Sequence, residues 1–336
     1  MRLALFVPAP FATVSGGYLY DQHIVAGLRA LGHDVHVNEL AGDIAHAAAA
    51  AWSTLDATVL PVIDGLALPA FAALPQAMAG RAIGLIHHPV SREDGLTAED
   101  QARLRAIEAA LLPRLARVIT TSATTAEQLA ADFAVPAAAL RVVRPGTAAA
   151  QRSHGSAGPG CAVLSVGALV PRKGHDVLLH ALARLSDLDW TLTIVGSAER
   201  DPAHAAMLTA LIAERGLASR VRLAGEIGGE ALETLWQGAD MFALATRWEG
   251  YGMAIAEALK RGLPVAISAG GAAGVDLPAE AASICLPGDH EGLSKVLRRM
   301  IFDAALRRMM ADAAWRAGAA LPDWPEQVRA FAAALA

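Results

Sequence analysis

Residues 241–265 read MFALATRWEGYGMAIAEALKRGLPV, and this stretch decides the fold. It begins with an apolar run at residues 241–245 that is typical of a buried strand, passes through a turn, and continues with the spacing of a helix. Gly250 and Gly252 allow a tight turn in which a ligand can approach backbone amides. Unpaired N–H groups at the start of the following helix favour a phosphate. The stretch therefore predicts a strand–turn–helix unit that binds an anion.

Two carboxylates stand on either side of this turn. Glu249 precedes it, and Glu257 lies about one turn into the helix. Carboxylates on both sides of an anion site fit a ligand with a sugar at each end and phosphate between them, which describes a nucleotide sugar. The spacing alone is equally consistent with two solvated glutamates on an ordinary connection, because one glycine-rich turn is weak evidence.

A second segment of the same kind occurs earlier in the chain. Residues 162–166 (AVLSV) form an apolar run, residues 167–174 (GALVPRKG) form a turn, and residues 175–185 have helical spacing. Arg172 and Lys173 lie at the tip of the turn, where a guanidinium fork and an ammonium can bind a diphosphate. Taken by itself, the pair also fits a solvated basic turn.

The segments VGALVPRKGHDVLL, TLTIVGS, VRLAGEI and EGYGMAIAEALKRGLPV occur in this order. Through them the chain resembles the retaining GT-B-type glycosyltransferases of glycosyltransferase family 4. The resemblance implies an α/β fold with two Rossmann-like, doubly wound domains that face each other across a cleft, and a C-terminal helix that crosses back to the N-terminal domain. It also implies transfer of a sugar from a nucleoside-diphosphate sugar to an acceptor hydroxyl with retention of anomeric configuration, without a metal or another cofactor.

The resemblance assigns roles to residues of the two C-terminal turns. Glu257 matches the glutamate that holds the ribose hydroxyls of the donor, and Glu249 matches one that holds hydroxyls of the donor sugar at the catalytic centre. Lys173 matches a lysine that contacts the diphosphate. The other donor-binding residues expected here are Arg172, Gly250, Tyr251, Gly252 and Met253.

One departure from the family pattern concerns positive charge. The family usually has an arginine directly after the glycine of the first turn, whereas this chain has Ala168. Either Arg172 or Arg247 is expected to supply the missing charge. The substitution affects how the phosphates are held and leaves the class of protein unchanged.

The N-terminal half predicts a partner domain. Residues 3–7 form a buried-strand run, residues 8–17 a loop, and residues 18–31 a helix. Gly16 and Gly17 resemble the glycine loop that lies over the donor diphosphate in the family, although a glycine pair before a helix is more often only a turn. The sequence lacks G-x-G-x-x-G at this place, which disfavours a nicotinamide enzyme.

A histidine follows another strand of this half. Residues 82–86 (AIGLI) run directly into His87, and ligands of open α/β sheets gather at the carboxyl ends of strands. His87 matches the family histidine that approaches the donor sugar and the reaction centre; the alternative is an exposed loop imidazole. His88 points to the opposite side of an extended chain, and no further ligands are spaced for a metal site.

Length and composition indicate two domains of ordinary size in the 336 residues. We expect an N-terminal, acceptor-side domain at 1–148, a nucleotide-sugar-binding domain at 161–320, and a last helix at 321–336 that packs back on the N-terminal domain. Residues 146–160 are rich in Gly, Ser and Ala and are expected to join the halves.

Composition also narrows the compartment and the partners. Hydrophobic residues make up 54%, largely alanine, yet no apolar run has the length of a membrane span and no leader pattern is present. With two cysteines, Cys161 and Cys285, a disulfide framework is excluded in practice, so we expect a cytoplasmic protein. A net charge of -5 argues against nucleic acid. The basic residues of 102–118 allow peripheral contact with a membrane, although a helix pair with a solvated edge is the more common arrangement.

Three function classes follow from these observations. The first is a glycosyltransferase that acts on a small-molecule, glycan or lipid-linked acceptor. The second is another GT-B nucleotide-sugar enzyme, such as an epimerase, which needs no acceptor. The third is a non-catalytic protein that binds nucleotide sugars. Product that forms only when an acceptor is supplied distinguishes the first class from the other two.

Overall fold

The structure is a computed structural model that describes residues 1–93 and 95–336. The chain divides into two compact units. Unit 1 consists of Met1–Gly146 and Pro322–Ala336, and unit 2 consists of Thr147–Leu321. Each unit is built around its own parallel sheet.

Unit 1 alternates strands with helices. Its described strands are β1 (Arg2–Pro8), β2 (Asp34–Leu40), β3 (Leu60–Asp64), β4 (Ile83–Ile86), β5 (Arg117–Thr120) and β6 (Leu140–Val142). Between them lie α1 (Gly16–Ala30), α2 (Ile44–Ser53), α3 (Pro75–Met78), α4 (Ala98–Leu111) and α5 (Ala123–Phe133). The sheet has the order β2-β1-β3-β4-β5-β6, and every pairing is parallel. The strand order reverses between β1 and β3, so a ligand crevice is expected at the carboxyl ends of these two strands.

Unit 2 repeats the alternation. Its described strands are β7 (Cys161–Val166), β8 (Trp190–Val195), β9 (Val221–Leu223), β10 (Met241–Leu244), β11 (Val265–Ser268) and β12 (Ala282–Cys285). Its helices are α6 (His175–Ala183), α7 (Pro202–Glu214), α8 (Gly229–Gln237), α9 (Met253–Lys260), α10 (His290–Phe302) and α11 (Ala304–Ala319). The order β12-β11-β10-β7-β8-β9 is that of a Rossmann sheet, with its reversal between β7 and β10. The prediction of two doubly wound α/β domains is confirmed.

The apolar runs become central strands because helices cover both faces of each sheet. All four residues of β4, of β10 and of β11 are buried, which explains why these strands are apolar without alternation. Trp190, Leu192 and Met241 belong to the core on one face of the unit 2 sheet. Phe242 and Leu244 belong to the core on the other face.

The last helix, α12 (Trp324–Leu335), packs on α1 within unit 1. A Cβ at Gly27 would lie 2.3 Å from a methyl carbon of Val328, so the two helices approach closely where this glycine stands. The rings of His23 and Trp324 stack at 4.1 Å between centroids. The residues that the sequence marks as an apolar face, such as Phe331, are buried in this contact.

Residues 147–160 lie in unit 2, although the sequence predicts a linker there. The backbone N–H of Ser153 donates to the carbonyl of Arg261 (2.8 Å), and the hydroxyl of Ser156 donates to Asp240 (2.6 Å). These bonds hold much of the stretch against unit 2. Among the described residues, no helix combines the length and the apolar character that a membrane crossing requires.

Candidate active site

The turns after β7 and β10 lie side by side where the strand order of unit 2 reverses. β7 and β10 are neighbours in the sheet, with Val163 paired to Met241. The N–H of Arg247 in one turn donates to the carbonyl of Arg172 in the other (2.8 Å). At Gly174, a Cβ would lie 1.9 Å from the carbonyl oxygen of Ala245, so only glycine allows this approach. The two segments recognised in the sequence therefore form one site.

A buried ion pair joins the two turns. Lys173 Nζ lies 2.5 Å from Glu249 Oε1, and the two side chains are 16% and 8% exposed. Arg172 Nη1 lies 3.6 Å from the other carboxylate oxygen, and the hydroxyl of Thr246 lies 3.2 Å from Oε1. The structure thus brings together three of the predicted site residues and adds Thr246, which the sequence reasoning did not name.

The charges of this pair depend on each other. Burial favours the neutral form of Glu249, but the neighbouring Lys173 and Arg172 outweigh it and lower the pKa of the carboxyl. Burial also lowers the pKa of Lys173, and Arg172 acts in the same direction, while Glu249 opposes both. Since the carboxyl is the stronger acid with a lowered pKa, Glu249 is ionised at neutral pH and the pair is ionic.

Two helices begin at this site without a side-chain cap. α6 starts after Gly174 and α9 after Gly252, and both glycines adopt left-handed backbone angles (φ 64° and 95°). Several other helix starts are closed by side chains, as at α1, α5 and α10, where Ser15, Ser122 and Asp289 accept from backbone N–H groups. The first N–H groups of a helix have no partner within the helix. The site therefore offers backbone donors and the positive ends of two helix dipoles to an anion.

The predicted glycine-rich turn, with Gly250, Tyr251, Gly252 and Met253, is held by the segment after β11. The N–H of Glu249 donates to Gly270 O (3.0 Å), and the carbonyl of Glu249 accepts from Ala272 N (2.8 Å). Gly271 is left-handed (φ 65°), and a Cβ there would lie 2.4 Å from the Glu249 carbonyl oxygen. These contacts fix the backbone just before the start of α9.

Glu257 lies in α9, partly buried, and its carboxylate accepts no hydrogen bond from any residue that the structure describes. Burial raises the pKa of this carboxyl, while the charge of Arg261 opposes the rise and that of Glu233 adds to it. Arg261 itself forms an ion pair with Glu233 at 2.6 Å. Among the described residues, the carboxylate of Glu257 therefore has charged neighbours but no hydrogen-bond donor.

Three arginines bear on the charge that is missing at Ala168. Arg247 donates two hydrogen bonds to the carboxylate of Asp176 in the first turn of α6 (3.0 and 2.7 Å), so it fastens the two turns to each other. Arg172 donates to Trp248 O (3.0 Å) beside Glu249. Arg200 follows β8, is exposed, and its charge contributes to the lowered pKa of Lys173. Arg172 and Arg247 were predicted from the departure at Ala168, whereas Arg200 lies outside both of the turns that the sequence marks.

His87 follows β4 in unit 1 and lies between two buried carboxylates. Its Nε2 donates to Asp21 Oδ1 on α1 (3.0 Å) and lies 3.7 Å from Asp64 Oδ2 at the end of β3. Both aspartates are almost fully buried, whereas the histidine side chain is 17% exposed. We call these three residues the Asp21–Asp64–His87 cluster. It stands at the reversal of strand order between β1 and β3, at the carboxyl end of β3.

The glycine pair predicted as a loop belongs to a helix. Gly16 and Gly17 form the first turn of α1, which Ser15 caps by accepting from the N–H of Tyr18. A Cβ at Gly17 would lie 3.2 Å from Cδ2 of His87, so the glycine gives room to the histidine ring. The sequence pattern placed the helix start at residue 18 because two glycines weaken helical propensity, and the serine cap outweighs them.

Asp21 and Asp64 were not predicted as site residues, although the sequence around each contains a signal. Asp21 lies three residues from Ile24 and seven from Leu28, on the face of α1 that is otherwise apolar, and a carboxylate on such a face needs a partner. Asp64 ends a buried strand at the carboxyl edge of the sheet. Their ligand atoms and that of His87 lie within 4.8 Å of one another, close enough to hold a metal ion, which the spacing of residues in sequence did not indicate. The Nε2–Oδ1 distance of 3.0 Å is equally that of a direct hydrogen bond.

The basic segment 102–118 is a helix end, a 3-10 turn and the start of a strand, in place of the expected helix pair. Arg103 pairs with Asp100, and the guanidinium of Arg105 lies 5.3 Å from the centre of the Phe133 ring. Arg117 donates to the carbonyl oxygens of the last two residues, at 3.1 and 2.6 Å. These contacts lie within unit 1, so the predicted membrane contact gains no support from the charges of this segment.

The strand order of unit 2, with two uncapped helix starts at its reversal, defines an α/β unit of the Rossmann type. The sequence model of the family described as glycosyl transferases group 1 matches residues 148–316, about half of the chain, and the chain belongs to this family. The predicted membership of the GT-B-type glycosyltransferases of family 4 is thereby confirmed.

Individual relatives are more distant. The chain is 27% identical over 235 residues to MMP alpha-(1->4)-mannosyltransferase of Mycolicibacterium hassiacum, which covers 65% of this chain and 56% of that protein. The chain spans about half the length, or less, of the curated relatives it matches. Sucrose-phosphate synthase of Thermosynechococcus elongatus has a similar fold, with a TM-score of 0.82 and 20% identity over 99% of this chain and 97% of that chain. Anabaena HepE in complex with UDP-glucose gives a TM-score of 0.77 at 17% identity over 100% and 99% of the chains.

Proposed function

We propose that the chain transfers a sugar from a nucleoside-diphosphate sugar to an acceptor hydroxyl with retention of anomeric configuration, and that it needs no metal for this reaction. The observation that carries the proposal is the meeting of Lys173, Glu249 and the start of α9 at one reversal of strand order. A solved structure of similar fold, HepE, contains UDP-glucose, which supports a donor of this class.

In this proposal the diphosphate is bound between the turn of Lys173 and the start of α9. An ammonium has three N–H donors, so Lys173 can keep its bond to Glu249 and still donate to phosphate oxygens. Backbone N–H groups after Gly252 donate to the same group, and the adjacent start of α6 adds positive potential. Negative charge that develops on the leaving diphosphate is then stabilised by hydrogen-bond donors that are already in position. Stabilisation of this kind is usually the largest single contribution to lowering an activation barrier.

The two glutamates hold the two sugars. Glu257, whose carboxylate bonds to no described residue, is proposed to accept from the ribose hydroxyls. Glu249, ionised and held by Lys173, is proposed to accept from hydroxyls of the donor sugar. The bonds that Glu249 makes to Lys173 and Thr246 favour a fixed hydrogen-bond acceptor over a nucleophile. His87 of unit 1 is proposed to bond to a sugar substrate.

A front-face displacement accounts for retention without a protein nucleophile. The bond from the anomeric carbon to the diphosphate oxygen breaks, and the bond to the acceptor oxygen forms on the same face of the sugar. The acceptor proton passes to the departing diphosphate oxygen, which has gained the electron pair of the broken bond. Protein groups position the reactants and stabilise the leaving group, a contribution that proximity and preorganised charge can supply.

The test is a screen followed by analysis of the product. Thermal shift against UDP, GDP and ADP and their sugars finds the donor, since a ligand at about 100 times its dissociation constant adds about 2.7 kcal/mol of stability. The donor is then incubated with and without candidate acceptors, and NMR of the product gives its anomeric configuration. Product with the inverted configuration contradicts retention, and turnover of the sugar without any acceptor favours an epimerase.

A further inference from the structure

The Asp21–Asp64–His87 cluster contains more buried charge than contact with a sugar requires. A single hydrogen bond would suffice to orient an imidazole, yet two carboxylates from different elements converge on the same nitrogen, at 3.0 and 3.7 Å. Each carboxylate loses its hydration in this position, which destabilises the fold unless the charges compensate. A single structural hydrogen bond therefore does not account for the second carboxylate.

The fold fixes all three side chains. Asp64 closes β3, beside Leu85 of β4, and its Oδ1 accepts from the backbone N–H of Leu66 (2.9 Å). His87 comes immediately after β4, so its ring stands over the carboxyl end of Asp64's strand. Asp21 approaches from α1, whose first turn lies against the Cδ2 edge of the ring at Gly17. The Nε2 edge of the imidazole therefore faces the interior.

The opposite edge of the ring is available to a ligand. Nδ1 of His87 makes no hydrogen bond to any residue that the structure describes, and the side chain keeps 17% of its surface exposed. The chemistry of that edge depends on one proton. With Nε2 protonated to donate to Asp21, Nδ1 accepts a hydrogen bond in the neutral ring and donates one in the imidazolium.

The charged neighbours of the ring come from every element around it. Burial disfavours the imidazolium, but Asp21 and, more weakly, Asp64 outweigh it and raise the pKa of His87. Burial and the nearby Asp21 raise the pKa of Asp64 to about 7. The ring of Tyr20 packs edge-on against that of His87, with 5.3 Å between the ring centroids. Burial raises the pKa of Tyr20 well above its usual value, so this neighbour is neutral. His88, next in the chain, instead bonds to Glu93.

We propose that Asp21 and Asp64 are positioning residues that keep His87 protonated and turned so that its Nδ1–H donates to an oxygen of a sugar substrate. The inference deepens the proposed function and depends on it only for the identity of the ligand. The imidazolium with one ionised carboxylate is electrically neutral, and the second carboxylate can hold one more proton. The cluster thus keeps a cationic donor at the site without leaving an uncompensated buried charge.

The direct test is a titration of the full chain labelled with 15N-histidine, in which NMR shows the protonation of each ring nitrogen. The signal of His87 is identified by its loss in His87→Asn. We expect a midpoint above the ordinary value of 6.5, and a fall of at least about one pH unit in Asp21→Asn, because an adjacent opposite charge shifts a pKa by about 1–3 units. Asp64→Asn should lower the midpoint less, since its oxygen is farther away. Asp34→Asn, on an exposed edge of the same unit, should leave it unchanged.

A second readout separates positioning from structural support. The pH at which transfer declines on the alkaline side should move with the NMR midpoint in Asp21→Asn, while the affinity for nucleoside diphosphate, which lacks the sugar, stays constant. A wild-type midpoint at or below 6.5, or one that Asp21→Asn and Asp64→Asn leave in place, overturns the proposal. The proposal is also overturned if one equivalent of zinc or manganese binds, shifts the NMR signal of His87 and is required for transfer. If Asp21→Asn fails to fold, the wild-type and Asp64→Asn titrations decide. If no sugar transfer is found but His87 titrates as expected, the proposed function is contradicted, whereas the proposed role of Asp21 and Asp64 is not.

Discussion

Replacing Lys173 by methionine removes the ammonium from its pair with Glu249 and keeps a side chain of similar length. The Glu249 carboxylate then remains 8% exposed, with Arg172 at 3.6 Å and the Thr246 hydroxyl at 3.2 Å as its remaining partners. Breaking a buried pair on one side costs about 3–5 kcal/mol. Because Arg172 still compensates in part, we expect the lower end, about 3 kcal/mol of unfolding free energy.

Two further measurements identify the cause of this loss. In the double variant Lys173→Met/Glu249→Gln the buried carboxylate is gone, so it should be more stable than Lys173→Met alone. The loss in Lys173→Met should also depend on pH. In the wild type the lowered pKa of Glu249 gives stability that is present above its unfolded value of 4.5 and is lost as the pH falls through the folded value. Without the lysine, burial raises that pKa, so the deficit of the variant should shrink between pH 8 and pH 5.

Urea denaturation followed by tryptophan fluorescence measures these differences. Four of the six tryptophans lie in unit 2, and the transitions of the two units are fitted separately because a two-unit chain need not unfold in one step. Lys295→Met, an identical exchange at an exposed position of α10, is the control and should have little effect. A loss below about 1 kcal/mol for Lys173→Met, or a double variant less stable than the single one, would refute the reasoning.

Four other outcomes are expected. Glu249→Gln should slow transfer at least tenfold, while the affinity for nucleoside diphosphate measured by calorimetry changes little because that ligand lacks the sugar. Equal losses in rate and in affinity contradict the contact of Glu249 with the donor sugar. Arg172→Ala should weaken the affinity for nucleoside diphosphate by about 1.5–3 kcal/mol. Arg247→Ala should mainly lower the stability of unit 2, because it removes the hydrogen bonds to Asp176. If the two variants show the opposite effects, Arg247 and not Arg172 binds the phosphates. EDTA should leave the rate of transfer unchanged, and a loss that manganese restores contradicts this. Asp64→Asn should gain stability relative to the wild type from pH 5 to pH 8, because a pKa raised to about 7 makes the wild type lose stability over that range; a difference independent of pH contradicts the raised pKa.

The strand–turn–helix pattern of unit 2 is legible in the sequence because every signal is local. The apolar run of β10, the glycines of the turn and the spacing of α9 all lie within one short stretch, and the structure places them as expected. Gly262, left-handed at φ 68°, ends the helix just where the sequence returns to an apolar strand. Lys173, the ion-pair partner of Glu249, was predicted for the same reason, because it lies in the turn of a second strand–turn–helix segment.

Features that depend on long-range contacts were less accessible. Asp21 and Asp64 meet His87 only because α1, β3 and β4 converge at one edge of the sheet, and the order of strands cannot be read from spacing along the chain. The predicted linker shows the same limit, since its glycine and serine content says nothing about the bonds that Ser153 makes to unit 2. The composition of a segment indicates how flexible it is in isolation, whereas its contacts in the folded protein determine whether it is ordered.

The contact between α12 and α1 has a consequence for the order in which the protein is made. Unit 2 is one continuous stretch of chain, but unit 1 takes its last helix from residues synthesised after the whole of unit 2. Until then, the face of α1 around Gly27 and His23 lacks the partners it has in the folded unit, Val328 and Trp324. Unit 1 therefore cannot complete its fold until the whole of unit 2 has been synthesised, and until then the face of α1 that α12 covers is exposed.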